Sequence, residues 1–364
     1  MTTPDRVTVA FDSTPRLDRR TGVGRYTTEL ARCIALLGAD VRPYAVALRG
    51  RWDDLPSGAR PGVRLRLPAR FVHYLWRHTG APSLERLTGP VDVVHGTNFV
   101  LPPSSAAGVV TVHDLSFYRD DTFPGGRRLR DLVPWSVERA KKVVVPSAAV
   151  QQEVVERFEV EEERVAVTHE GVSPVFFGAT PLATTALGGL GVRPPFALAV
   201  STLEPRKNLV RLLQAWEAAA DDLEGWNLVL AGPQGWGPAL PKTPGVVLTG
   251  WLGDATLPGL LSAAEFFCYP SLYEGFGLPP LEAMAAGTPV LAGSYPCAPE
   301  ILGDSALLVD PTSVDAMASG IALMATDDRL RKRLAQAGRL RAATYTWEAT
   351  ATATLRAYRE AMAT

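Results

Sequence analysis

Cysteine is scarce in this chain. Its 364 residues include three, Cys33, Cys268 and Cys297, with no C-x-x-C pair, so neither a disulfide framework nor a thiolate metal site is indicated. Cys33 falls in a helical apolar pattern and Cys268 in a strand-like one, and both read as small core residues. An excess of either charge is also lacking. The 37 Lys and Arg stand against 38 Asp and Glu, a formal net charge of −1, and bulk charge gives no reason to expect a nucleic-acid partner. No apolar run reaches the ~20 residues that cross a bilayer. The opening MTTPDR has no apolar signal region. The expectation is a cytoplasmic chain, either free or peripheral at the inner face of the cell membrane.

Apolar residues are plentiful, 46% of the total, in a chain too long for one comfortable α/β domain. Strand-like runs alternate with helix-like ones, the pattern of parallel sheets with crossover helices. Strands are predicted at 7–12, 41–47, 91–95, 109–113, 143–146 and 165–169, with helices at 24–37, 127–140 and 147–158. Residues 171–195, rich in Pro, Gly, Thr and Ala, read as a linker. Strands return at 196–201, 228–232, 246–249, 266–270, 290–292 and 307–310. Helices are predicted at 209–220, 255–262, 279–286, 314–325, 328–343 and from 347 to the end. The fold class is α/β: two Rossmann-like doubly wound domains, 1–180 and 181–345, facing across a cleft, then a C-terminal helix, 346–364.

The densest chemistry lies at 273–290, YEGFGLPPLEAMAAGTPV. A buried strand precedes it. Gly275 and Gly277 allow a sharp turn that exposes backbone N–H groups. Pro279 and Pro280 suit a first helical turn, and Gly287 ends the helix. Glu274 is then on a loop at the carboxyl end of a strand, where open α/β sheets bind small molecules. Glu282 is expected in the first turn of the helix. A glycine turn leading into a helix offers an anion donors and a positive dipole end, while carboxylates accept from hydroxyls. An anion joined to a polyol describes a nucleotide sugar. The plainer alternative is a strand-turn-helix with a capping glutamate.

This segment resembles the E-x7-E motif of the retaining nucleotide-sugar glycosyltransferases of family 4, with Glu274 and Glu282 as its glutamates. Residues 202–208, TLEPRKN, resemble the family's phosphate-binding loop; 21–26, TGVGRY, its N-terminal glycine loop; and 112–114, VHD, its active-site histidine. The matches follow family order. The resemblance implies GT-B architecture, an acceptor-binding first domain, a donor-binding second domain, and a last helix that returns to the first. It implies that Glu274 holds donor sugar hydroxyls and that Glu282 holds the ribose. Gly275, Phe276, Gly277 and Leu278 are the loop positions beside the donor, and His113 contacts the sugar and supports an oxocarbenium-like state. Trp-containing 250–253 would touch the base, with Asp254 either accepting from guanine or capping the next helix.

Arg206 and Lys207, at a predicted helix start, suit a diphosphate through bidentate and point-charge contacts; in isolation they would read as a solvated basic turn. Much of the family has an arginine where this chain has Thr202, so phosphate contacts are divided between Arg206 and Thr202 in a way the sequence leaves open. Gly22 and Gly24 form either a flexible loop reaching the donor phosphate or a helix-capping turn. His95 either lines the acceptor side or satisfies a strand terminus. No D-x-D triad occurs, so no metal or other cofactor is expected, and the nucleotide sugar is a co-substrate. Residues 64–77 interleave Arg64, Arg66, Arg70 and Arg77 with apolar side chains. Their second half forms either a membrane-resting amphipathic basic helix or a part-buried helix with snorkelling arginines.

The expected function is a retaining, metal-independent hexosyltransferase. GDP-mannose is the preferred donor, after the resemblance of EPRKN with GWG at 235–237 to bacterial mannosyltransferases. The acceptor is a hydroxyl of a glycan or lipid-linked glycan. Alternatives are another donor (UDP-glucose, UDP-GlcNAc or dTDP-rhamnose), an epimerase or phosphorylase on the same architecture, or a non-catalytic scaffold.

Overall fold

Short valine-rich runs build the first unit. In the computed structural model, which describes residues 6–17, 21–48, 62–119, 121, 123, 125–237, 239–253 and 255–364, the chain divides into two units. The first is Met1–Gly171 with Trp347–Thr364, and the second is Val172–Thr346. The divide therefore falls earlier than the expected 180/181 boundary.

The first unit runs β1 (Thr8–Asp12), α1 (Gly22–Leu36), β2 (Asp40–Val46), β3 (Val63–Leu65), α2 (Ala69–Thr79), α3 (Glu85–Thr88), β4 (Val93–Gly96), β5 (Ala107–Thr111), α4 (Gly126–Arg139), β6 (Lys142–Val145), α5 (Ala148–Phe158) and β7 (Val165–Val167). The sheet order is β3-β2-β1-β4-β5-β6-β7, and every pairing is parallel. Helices on both faces bury the strands on both faces, which is why β6 after Lys142 reads as the unbroken apolar run Val143–Val145 rather than an alternating one. Helix α1 begins where the Thr21 side chain accepts from Gly24 N at 3.1 Å, and it buries Tyr26, Leu30, Cys33 and Ile34 on one face. The three-residue β3 and the one-turn α3 went unpredicted, because such short elements carry no period.

The second unit restarts the plan. Its elements are α6 (Thr184–Gly189), β8 (Phe196–Val200), α7 (Leu209–Ala218), β9 (Asn227–Ala231), β10 (Val246–Gly250), α8 (Leu257–Ala263), β11 (Phe266–Tyr269), α9 (Leu278–Ala285), β12 (Val290–Gly293), α10 (Ala298–Leu302), β13 (Leu307–Val309), α11 (Val314–Thr326) and α12 (Asp328–Ala342). The sheet order is β10-β9-β8-β11-β12-β13, again all parallel. Ser313 caps α11 through Ala316 N at 3.1 Å, and Asp327 caps α12 through Leu330 N at 2.9 Å. Helix α6 lies inside the stretch expected to be a bare linker.

The last helix, α13 (Trp347–Ala363), belongs to the first unit. Its buried residues Trp347, Thr350, Ala351, Thr354, Leu355 and Tyr358 recur at three- and four-residue steps, and that face packs on α1 and over β4, β5 and β6. Tyr358 OH is 2.7 Å from His95 Nδ1; His95 Nε2 is 2.7 Å from Thr111 Oγ1, which is 3.0 Å from Tyr26 OH. All four residues are buried. His95 thus satisfies a buried network, which decides between its two sequence readings. Both ring nitrogens are committed, and the side chain has no surface exposure.

Burial, followed by the neighbouring His113, pushes His95 down from its ordinary 6.5 to about 3. The unfolded chain binds a proton at higher pH than the folded one. Neutral His95 therefore stabilises the fold above about pH 6.5, and that contribution is lost as pH falls toward about 3. Denaturant titrations from pH 7.5 down to 4.5 should show wild type losing stability faster than His95→Gln. Parallel pH slopes would remove His95 as the cause.

Candidate active site

The second unit's site is built from the carboxyl ends of β8 and β11. After β8 the chain forms a single 3₁₀ turn, Pro205–Lys207, and then Asn208 adopts a left-handed backbone with φ 58°, a conformation short amide side chains tolerate. Asn208 is the N-cap residue of α7 but makes no side-chain cap to it. Its Nδ2 instead donates to Pro270 O at 3.0 Å and Pro311 O at 2.6 Å, and its Oδ1 accepts from Arg211 at 2.6 Å. The amide ties the turn to the segment after β11, as does Leu272 N donating to Arg206 O at 2.9 Å.

The turn brings two cations onto one carboxylate. Lys207 Nζ donates to Glu274 Oε1 at 2.5 Å and to Tyr269 OH at 2.9 Å. Arg206 Nη1 donates to Glu274 Oε2 at 2.7 Å and to Tyr273 O at 3.2 Å, while Arg206 Nε lies 2.5 Å from Glu204 Oε1. Glu274 and Lys207 are buried, and Arg206 keeps 23% of its side chain exposed. Burial alone would raise Glu274, but Arg206 and then Lys207 outweigh it and hold the carboxyl at about 2. Burial and the adjacent Arg206 depress Lys207, opposed by Glu274 and Glu204. Burial raises Glu204, opposed by Arg206 and Lys207. Formally the cluster is neutral, with two carboxylates against two cations.

The glycine turn follows directly. Gly277 has φ 100°, and a Cβ there would fall 2.8 Å from Tyr295 OH, so both backbone and space demand glycine. Gly275, Phe276 and Leu278 complete the turn into α9, and Cys297 Sγ contacts the carbonyls of Glu274 and Phe276 at 3.3 and 3.4 Å. Helix α9 begins at Leu278, with Gly277 as its N-cap residue and no acidic residue in the first turn. Glu282 is therefore a turn further in than the sequence suggested. The two prolines occupy first-turn positions, and Glu282 is buried at 3% exposure. Thr202 lies in the loop after β8, against Gly235. Asp254 lies outside the described residues.

His113, Gly22 and Gly24 belong to the first unit. Gly22 and Gly24 form the first turn of α1 rather than a flexible loop, and Gly24 N is already bonded to Thr21. His113 sits two residues beyond β5, not at its end. Its Nε2 is 2.8 Å from Thr97 O. A carbonyl can only accept, so Nε2 carries the proton. Nδ1 then faces Glu170 Oε1 at 3.6 Å. Tyr26 and Phe99 pack edge-on against the ring, at centroid distances of 4.8 and 5.9 Å. Phe99 is itself held at φ 66°, an unusual backbone for an aromatic residue. Sequence reasoning assigned nothing to Glu170, and no motif marks it. Glu204 lay within the quoted 202–208 loop but was given no part.

Two doubly wound parallel units are the architecture expected of a GT-B glycosyltransferase, and the comparisons with known proteins place the chain in that class. The model described as Glycosyltransferase Family 4 matches residues 20–176, and the one described as Glycosyl transferases group 1 matches 188–341. The O-antigen chain mannosyltransferase B of Escherichia coli is 29% identical, over 96% of this chain and 99% of that protein. A D-inositol 3-phosphate glycosyltransferase of Kribbella flavida is 31% identical, over 94% of this chain and 91% of its own length. Among solved structures, sucrose-phosphate synthase of Thermosynechococcus elongatus superposes with a TM-score of 0.75 at 20% identity, over 98% of this chain and all of that one. WaaG, a glycosyltransferase involved in lipopolysaccharide biosynthesis, gives 0.69 at 19%, over 96% of this chain and 98% of its own. The chain belongs to glycosyltransferase family 4.

Removing one partner of a buried ion pair strands the other. Lys207→Ala should lower the unfolding free energy by about 3 kcal/mol. Adding Glu274→Ala should recover part of that loss, with a coupling of about 1–3 kcal/mol in a double-mutant cycle. Additive losses in denaturant titration would show that the pair is not coupled.

Proposed function

We propose that the protein is a retaining, metal-independent α-mannosyltransferase that takes mannose from GDP-mannose to a hydroxyl of a glycan or lipid-linked glycan. The observation that carries this is the Arg206–Glu274–Lys207 knot beside the turn into α9. The E. coli relative, named for mannosyl transfer to O-antigen chains, supports the sugar and the acceptor class. Structures of Anabaena HepE bound to UDP-glucose share the fold at a TM-score of 0.70 and 15% identity, which fits a nucleotide-sugar donor.

In this reading the second unit binds the donor and the first the acceptor. Arg206 and Lys207 hold the diphosphate, with Thr202 beside them and the N–H groups of Gly275, Phe276, Gly277 and Leu278 at the α9 end. Glu274 accepts from donor sugar hydroxyls and Glu282 from the ribose. Asp254 remains a candidate for the base, and Gly22 and Gly24 for the donor phosphate through the start of α1. As the bond from sugar C1 to phosphate oxygen breaks, charge builds on the diphosphate, and preorganised cations lower that barrier. The acceptor oxygen bonds C1 on the same face, and its proton passes to the departing diphosphate. His113, with Nε2 on Thr97 O and Nδ1 facing Glu170 Oε1, is the residue assigned to support the positive sugar.

A second reading has its own support. The Kribbella relative is named for D-inositol 3-phosphate, so a phosphorylated polyol is the rival acceptor. Membrane contact is also part of the proposal. Helix α2 buries Val72 and Trp76 but leaves Phe71 47% and Tyr74 60% exposed, beside exposed Arg70 and Arg77. No helix among the described residues is long and apolar enough to cross a membrane, so such contact would be peripheral.

GDP-mannose should raise the melting temperature more than UDP- or dTDP-sugars. Transfer should persist in EDTA, and the new linkage should be α by NMR. Glu274→Gln should reduce turnover by at least about 100-fold while GDP binds more tightly, because two cations lose their internal counter-charge. Full activity in Glu274→Gln and Lys207→Ala would sink the assignment. The chain should also co-sediment with phosphatidylglycerol vesicles at low salt and be released by Phe71→Ser/Tyr74→Ser; equal sedimentation of both proteins would exclude α2 as the contact.

A further inference from the structure

The first unit has a small polar cavity that the mechanism above does not use. It lies at the carboxyl ends of β1 and β4, the neighbours where strand order reverses, which is where doubly wound sheets place ligands. Its volume is about 70 Å³, with Asp12, Tyr44, His73, Trp76 and Asn98 in its lining. On that measure a water needs about 10–15 Å³, so the space holds a few waters or the edge of a sugar ring.

The lining contains unmet polar atoms. Trp76 Nε1, His73 Nδ1 and Asn98 Oδ1 are buried with no hydrogen-bond partner. Trp76 is 2% exposed and Asp12 8%. Their positions are fixed from several sides. The His73 and Trp76 rings stack at 5.7 Å. Asp12 Oδ1 accepts from Thr14 N at 2.9 Å, and Asp12 O accepts from Thr97 Oγ1 at 2.8 Å. Thr14 Oγ1 in turn accepts from Val46 N at 3.0 Å. An orphaned buried polar atom costs about 1–3 kcal/mol, so several around one void indicate an occupant.

We propose that this cavity is the acceptor subsite for a neutral, hydroxyl-bearing sugar edge, read by Trp76, His73, Asn98 and Asp12. The proposal rests on the glycosyl-transfer reading and names the acceptor chemistry. An indole N–H only donates and an amide oxygen only accepts; a hydroxyl does both and satisfies them together, while the ring of Trp76 offers an apolar wall. Anions are disfavoured. Among the described lining residues there is no Arg or Lys. Burial pushes Asp12 up to about 6, which still leaves it mostly ionised at neutral pH. Burial and then Arg128 push His73 down to about 4, so its imidazole is neutral there. A phosphorylated sugar is therefore a poor ligand for this cavity.

The test uses the full chain with ¹⁵N-labelled tryptophan. The Trp76 indole cross-peak is assigned by its loss in Trp76→Phe, and it is followed during titration with methyl α-mannopyranoside, methyl α-glucopyranoside and mannose 6-phosphate. The peak should shift with at least one neutral glycoside and not with mannose 6-phosphate. Asn98→Ala, whose peak dispersion also reports its folding, should weaken the glycoside's Kd at least 5-fold. A peak unmoved by both neutral glycosides leaves the cavity to water and overturns the proposal. An equal response to mannose 6-phosphate, or an unchanged Kd in Asn98→Ala, does so too. Stabilisation by GDP-mannose in the same preparation tests the donor reading separately, since its absence would sink that reading and leave the cavity result standing.

Discussion

The second unit is organised around the burial of Glu274. A lone carboxylate out of water would cost several kcal/mol, and its environment instead holds it ionised. That requires two cations at fixed distance, and the local fold supplies them. The left-handed Asn208 sets the angle of the Arg206–Lys207 turn, the carbonyls of Pro270 and Pro311 hold Asn208, and the tight turn at Gly277, packed against Tyr295 OH, follows Glu274 directly. Each part positions charge. The turn between β8 and α7 would otherwise be an ordinary crossover connection, and it is rigid here because ionic and amide bonds cross from it to the β11 end.

The first unit makes the same kind of investment without charge. Tyr358, His95, Thr111 and Tyr26 join the last helix, two strands and the first helix through neutral hydrogen bonds, and Tyr26 then packs on His113. The return of α13 is therefore more than coverage of an apolar face. It completes the network that orients the Tyr26 ring beside His113, and it explains why a helix at the far end of the chain belongs with the first sheet.

Much of this was legible in the sequence, for identifiable reasons. Alternation of buried strands and amphipathic helices is a local property, and strands such as β8 and β11 carry it strongly. The glycines and prolines of 275–280 also act locally, so the turn into α9 was readable, although not that Glu282 lay a turn deeper. Pairings between distant segments were not readable. Glu274 appeared as a free sugar-binding carboxylate and Lys207 as a phosphate-binding cation, and nothing in their spacing says that they bond each other across β8 and β11. Glu170 beside His113 escaped for the same reason. The glycines at 22 and 24 left two conformations open because a capped helix start and a flexible loop share composition; the bond from Gly24 N to Thr21 Oγ1 shows the capped start, and it is visible only in three dimensions.

If the charged knot holds a diphosphate, as proposed, its neutrality limits how. Arg206 and Lys207 bring no surplus charge while Glu204 and Glu274 face them, so an incoming dianion would meet a balanced cluster. Two sources of attraction remain. The start of α9 is a positive dipole end, and on the proposed function Glu274 would turn part of its hydrogen bonding from the cations to sugar hydroxyls. The second route couples the two halves of a nucleotide sugar. Each hydroxyl that engages Glu274 weakens its hold on Arg206 and Lys207 and frees them for phosphate. On the proposed function, a free diphosphate would offer no hydroxyl to make that exchange, so the ion pair would favour the intact donor over its leaving group.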